Sequence, residues 1–93
     1  MTEIARRLLI QGRVQGVGYR YWTLNLARRW SVRGWVRNRH DGSVEILCIG
    51  KPKAVESFIE QCQIGPTSAR VTEVVTFPAL DDGATGFVSR ETV

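Results

Sequence analysis

The chain has 93 residues, 43% of them hydrophobic, which suits one compact domain over residues 1–93 and is too apolar for a disordered chain. Its formal net charge of +4 comes mostly from arginine, with Arg6, Arg7, Arg13, Arg20, Arg28, Arg29, Arg33, Arg37 and Arg39 all in the first half, and this balance suits an anionic partner. No apolar run approaches the roughly 20 residues that span a bilayer, and no apolar leader follows Met1, so a cytoplasmic protein without a membrane partner is expected.

Ile4 to Gln11 reads as the first strand, although its alternation is imperfect: Arg6, Leu8 and Ile10 share one face, and Ala5, Arg7 and Leu9 the other. The loop Gly12-Arg13-Val14-Gln15-Gly16-Val17-Gly18-Tyr19-Arg20 follows. Its glycines let backbone N–H groups converge on one point. The helix start beyond it adds free N–H donors and the positive end of a dipole, and the arginine adds a planar fork matched to phosphate oxygens. Together they form an anion cradle, with phosphate as the favoured anion. The loop lacks the Gly-Lys-Ser/Thr ending of a Walker motif and the long βαβ unit of a dinucleotide site.

A helix is expected over Arg20 to Trp30, with Tyr19, Thr23, Leu26, Ala27 and Trp30 on one face. Ser31 must end it without the positive-φ glycine that usually does so. Arg33 to Arg39 and Val44 to Ile49 form a hairpin around His40-Asp41-Gly42-Ser43. Pro52 opens a second helix with Val55, Phe58, Ile59 and Cys62 as its apolar stripe, and Gly65-Pro66 closes it. Arg70 to Phe77 is a further strand, Asp81 to Gly86 a polar loop, and Phe87-Val88-Ser89 a short closing strand. The order β-α-β-β-α-β is that of an α+β, ferredoxin-like split βαβ sandwich, with two helices on one face of a mostly antiparallel sheet of four to five strands.

The residue types exclude much chemistry. A single histidine, His40, lies in a turn, and no serine sits in a nucleophile elbow. Cys48 and Cys62 have neither metal nor CxxC spacing and read as buried free thiols, and Asp41, Glu45, Glu56 and Glu60 have no metal-binding spacing. A site in this chain must work by positioning and electrostatics. Asn38, at the end of the second strand, is either a turn residue bonded to local backbone or an amide that holds a water through one donor and one acceptor. Sheet register decides whether it meets the loop.

The segment Gly12 to Arg20 resembles the first signature of the acylphosphatase family, Gly-x-Val-Gln-Gly-Val/His-x-aromatic-Arg. Gly34-Trp35-Val36-Arg37-Asn38 through Gly42, Val44 and Glu45 resembles the second, and Gly65-Pro66 with Ala69 and Val71 resembles a connecting motif of the same family. The resemblance runs from about Leu8 through Val75. It implies a hydrolase that cleaves the carboxyl–phosphate bond of acyl phosphates without metal or cofactor. It assigns Arg20 to substrate phosphate binding, the amides of Val14, Gln15, Gly16, Val17, Gly18 and Tyr19 to the cradle, Asn38 to the attacking water, and Thr23 to a supporting role. Gly18 stands where the family varies, which gives the cradle additional backbone freedom. A monomer acting on a small molecule is expected.

Two other readings compete. A basic ferredoxin-like sheet can bind RNA, with Trp22, Trp30 and Trp35 as stacking platforms, yet no RNP-like aromatic motif is present and Trp30 falls on the buried helical face. A phosphate- or carboxylate-binding regulatory domain without turnover would share the cradle; no partner domain is expected in 93 residues.

Overall fold

The computed structural model describes residues 2–93, so only Met1 of the expected domain lies outside the described residues. Seven elements follow in the expected order: β1 (Ile4–Arg13), α1 (Tyr19–Arg29), β2 (Arg33–Asn38), β3 (Val44–Gly50), α2 (Pro52–Ile64), β4 (Arg70–Pro78) and β5 (Phe87–Ser89). The strands form one sheet in the order β4-β1-β3-β2-β5, antiparallel except where β2 pairs with β5. No helix among the described residues is long and apolar enough to cross a membrane.

Helix burial follows the apolar periodicity. Tyr19, Thr23, Leu26 and Ala27 of α1 and Val55, Phe58 and Cys62 of α2 are buried, and they pack with Leu8, Ile10, Val36, Val44, Ile46 and Cys48 on one sheet face. The imperfect alternation of β1 has a structural cause, since the opposite sheet face is not bare either. There Ala5, Trp35, Leu47 and Ile49 form a second, smaller cluster packed by Ala79. Cys48 and Cys62 are buried free thiols; burial pushes the Cys48 thiol up to about 12 and raises that of Cys62 as well. Neither is a ready thiolate at neutral pH.

Helix α1 ends in a Schellman arrangement. Val32 N–H donates to Ala27 O at 2.9 Å and Ser31 N–H to Arg28 O at 3.3 Å. Ser31 itself takes the left-handed conformation, φ 55°, in place of the missing glycine. Arg28 and Arg29 in the last turn face the negative end of the dipole. Helix α2 ends on Gly65 at φ 71°.

Register brings the site together. Asn38 pairs with Val44 on β3, and Val44 pairs with Ile10 on β1. The end of β2 therefore lies beside the end of β1 that feeds the glycine-rich loop, two strands away across β3. A bulge between Gln11 and Gly12 then shifts the register of β1 on β4, and pairing continues through Gly12–Val71 and Arg13–Arg70. Gly12 is required there by close approach: a Cβ would lie 2.1 Å from Arg70 O and 2.8 Å from Thr72 N, at φ 123°. The hairpin turn between β2 and β3 is fixed by Asp41, whose Oδ1 accepts from Ser43 N–H and Oγ–H at 2.9 and 2.6 Å, with Gly42 at φ 95°.

Candidate active site

An open cleft of about 360 Å³ lies between the start of α1 and the ends of β2 and β5. Val14, Gly16 and Gly18 of the loop, Tyr19 and Arg20 of α1, and Asn38 of β2 line it. Two segments that the sequence separates thus meet in one cavity. Gln15 and Val17, counted with the cradle from sequence, are not in the lining.

The cradle is built from backbone. Val14 is 1% exposed and anchors the loop in the core, and Val17 packs half-buried against the same core. Gly18 is the N-cap of α1 at φ 81°, ψ 15°. The freedom expected there from sequence is a demand for this left-handed backbone, which a Cβ strains whatever the space around it. As a glycine N-cap it supplies no side-chain acceptor, and the first turn of α1 holds no acidic residue. The first helical bond joins Trp22 N–H to Gly18 O at 3.0 Å. Among the described residues, no N–H from Gln15 to Tyr21 donates to a protein acceptor. The positive end of the α1 dipole and its free donors therefore face solvent at the cleft.

Arg20 and Asn38 complete the constellation. Arg20 makes no ion pair or side-chain hydrogen bond among the described residues, unlike Arg7, Arg33, Arg37 and Arg39. Asn38 Oδ1 is buried without a hydrogen-bond partner. A buried amide oxygen left unmatched costs about 1–3 kcal/mol. Trp30 Nε1 and Arg39 Nε are also buried without a hydrogen-bond partner, but of the three residues Asn38 alone lines the cleft. The Asn38 carbonyl is meanwhile fixed, accepting from Val93 N–H at 3.1 Å.

Side chains around the loop hold it in place. Gln15 Nε2 donates to Arg39 O at 2.7 Å and to Ser43 O at 2.8 Å, tying the loop to the hairpin beside Asn38. Ser68 Oγ donates to Val17 O at 2.8 Å. Tyr19 turns its ring inward, and its hydroxyl donates to Cys62 O at 2.7 Å; burial raises its pKa far above neutrality, so it stays a donor. Thr23 is fully buried and its hydroxyl donates to Tyr19 O at 2.8 Å. It supports the first turn of α1, and no hydrogen bond joins it to Asn38 among the described residues. The ties through Gln15 and Ser68 have no local sequence signal, since their partners lie 24 to 51 residues away.

A second arginine group occupies the opposite sheet face. Glu45, 3% exposed, accepts from Arg7 Nε at 2.5 Å, Arg37 Nε at 2.7 Å and Arg39 at 3.3 Å. Burial pushes the Glu45 carboxyl up, but hydrogen bonds and charges from Arg37 and Arg7 outweigh it and hold the pKa below the ordinary range. Trp35 is 8% exposed beneath the guanidinium groups of Arg37 and Arg90, at 4.5 and 5.2 Å from its ring centre. Trp22 and Trp30 are half-buried against the main core. The three tryptophans are thus committed to packing rather than displayed for stacking. Among the described residues no three His, Cys, Asp or Glu side chains gather as metal ligands.

The chain resembles known proteins over nearly its whole length. The Acylphosphatase family model matches residues 6–88. The acylphosphatase of Nitrobacter winogradskyi is 53% identical over 78 residues, spanning 84% of this chain and 79% of the relative. That of Acidiphilium cryptum is 47% identical over 89 residues, 96% of this chain and 98% of the relative. The crystal structure of acylphosphatase from Bacillus subtilis superposes with a TM-score of 0.90 at 36% identity, covering 94% of this chain and 98% of that one. With two signatures meeting in one cleft, a family model over residues 6–88 and relatives matched over most of their length, the chain belongs to the acylphosphatase family.

Proposed function

We propose that this chain hydrolyses acyl phosphates to a carboxylate and inorganic phosphate, with Arg20, Asn38 and the Val14–Tyr19 loop as its working parts. One observation carries the assignment: a single cleft holds an unpaired guanidinium, a row of undonated backbone N–H groups and an unmatched amide oxygen. Each is incomplete alone, and together they match a phosphoryl group with a water behind it.

The phosphoryl oxygens rest on the amides at the start of α1 and in the fork of Arg20. Asn38 Oδ1 accepts a hydrogen bond from the water and orients its oxygen at phosphorus. As the new P–O bond forms, the bond from phosphorus to the acyl oxygen breaks, and its electron pair leaves on the carboxylate. The water's proton passes to a phosphate oxygen, since the cleft lining carries no histidine, aspartate or glutamate. The fixed donors meet the charge on the equatorial oxygens, so catalysis rests on positioning and electrostatic stabilisation. A carboxylate leaves readily, and no general acid is needed. Drawn this way, the reaction uses no metal or cofactor, and the chain works as one domain and as a monomer in the cytoplasm, on a small molecule rather than a nucleic acid.

Benzoyl phosphate hydrolysis in the presence of chelator tests this directly. Wild type is expected to turn over, and Arg20→Ala and Asn38→Ala each to lose about a hundredfold or more in kcat/KM. Full activity in either variant would remove that residue from the mechanism. Phosphate binding without turnover would return the chain to the reading of a regulatory domain.

A further inference from the structure

The cleft is larger than a phosphoryl group needs. Beyond the loop and Arg20, its lining continues to Tyr21 and Leu24 on α1 and to Ser89 on β5. Arg20 and Leu24 lie four residues apart on one helix, so this part extends about 6 Å along the axis. Leu24 is half-buried against the core. Tyr21 is 73% exposed, and its hydroxyl has no hydrogen bond among the described residues. Its open ring does not contribute to the folded core, but it can cover an apolar group brought into the cleft.

The geometry of displacement says which group that is. Entering and leaving oxygens lie roughly in line across phosphorus. A water held by Asn38 enters from the β2 side, so the leaving acyl oxygen points toward the α1 side. Tyr21 and Leu24 are the α1 residues of the lining beyond Arg20. Arg20 is the sole charged side chain in the lining and is committed to the phosphoryl oxygens. A carboxylate on the acyl chain would therefore find no partner there.

We propose that Tyr21, backed by Leu24, is the contact for the acyl group, and that this chain selects acyl phosphates whose acyl part is uncharged and aromatic or bulky apolar. The proposal rests on the acylphosphatase reading above and adds the substrate class. Tyr21 acts by binding and takes no part in bond making.

Steady-state kinetics of wild type, Tyr21→Ala and Tyr21→Phe on benzoyl phosphate and acetyl phosphate test it, with inhibition by inorganic phosphate as the control. Tyr21 is largely exposed, so both variants are expected to fold. Tyr21→Ala should lose about threefold to tenfold in kcat/KM on benzoyl phosphate, the range of one aromatic contact, chiefly through KM. On acetyl phosphate the loss should stay within about twofold, and the inhibition constant for phosphate should hold, because neither ligand reaches the ring. Tyr21→Phe should match wild type. Equal losses on both substrates, an unchanged benzoyl phosphate rate, or a Phe variant as weak as Ala would each overturn the proposal. A wild type that turns over neither substrate would overturn the acylphosphatase reading, and this proposal with it.

Discussion

The two faces of the sheet use arginine in opposite ways. On one, Arg7, Arg37 and Arg39 converge on Glu45, and Trp35 lies beneath Arg37 and Arg90. Each of these guanidinium groups has a carboxylate or an aromatic ring as partner, and the product is structure. At the cleft, Arg20 has no partner among the described residues, the start of α1 has free donors, and Asn38 Oδ1 is unmatched. Arg37 and Asn38 are adjacent in the chain, yet strand alternation sends them to different faces and different tasks. What sets Arg20 apart from the other arginines without a side-chain partner is its place in one cleft with the start of α1 and Asn38.

The sharpest way to break this contrast is to keep charge and remove geometry. Arg20→Lys retains the positive charge but loses the planar fork. A fall of about a hundredfold to a thousandfold in kcat/KM is expected, the scale of losing a transition-state donor, with inhibition by inorganic phosphate weakened in parallel. A near-normal phosphate inhibition constant would show that charge alone suffices. The Glu45 cluster should respond in stability instead. Glu45→Gln leaves three guanidinium groups facing one another and should cost about 2–3 kcal/mol in urea unfolding, less than a fully buried pair because the arginines are partly exposed. The folded pKa of Glu45 is depressed, so its contribution is complete above the ordinary value of 4.5 and is lost as pH falls through the lower folded value. Wild-type stability should drop over that acid range, and the drop should be smaller in the Gln variant.

Gln15 connects the loop to the hairpin and so sharpens the comparison. Gln15→Met keeps the length of the side chain but removes both donors to Arg39 O and Ser43 O. About a tenfold loss in kcat is expected, with a smaller change in phosphate inhibition, since the amides and Arg20 remain while their distance to Asn38 loosens. Equal losses in both would make Gln15 a plain structural residue. The smallest effect is expected at Ser31, which sits at φ 55° far from the cleft. Ser31→Gly should stabilise the fold by about 0.5 kcal/mol, relief of left-handed strain exceeding the added chain entropy, with kcat unchanged.

Much of this was legible in the sequence, for local reasons. Helix periodicity, Asp41-Gly42, Pro52 and Gly65 are short-range signals, and they place the elements close to where they lie. Arg20 and Asn38 were legible as a pair through resemblance to a family. Their meeting was not, because it depends on the pairing of Asn38 with Val44 and of Val44 with Ile10. Gln15 looked like one more cradle amide, and only the folded chain reveals its side-chain bridge. Tyr21 and Leu24 stayed hidden because they lie off the buried stripe of α1, where periodicity signals only solvent.

The central claim is that phosphate sits between the start of α1 and Arg20, within reach of Asn38. A crystal structure with bound inorganic phosphate tests it most directly. The account predicts phosphate oxygens within hydrogen-bonding distance, roughly 2.7–3.1 Å, of loop amides and of the Arg20 guanidinium, with a water between phosphorus and Asn38 Oδ1. A phosphate bound at the Arg7–Arg37–Arg39 face instead, with the cleft empty, would contradict it.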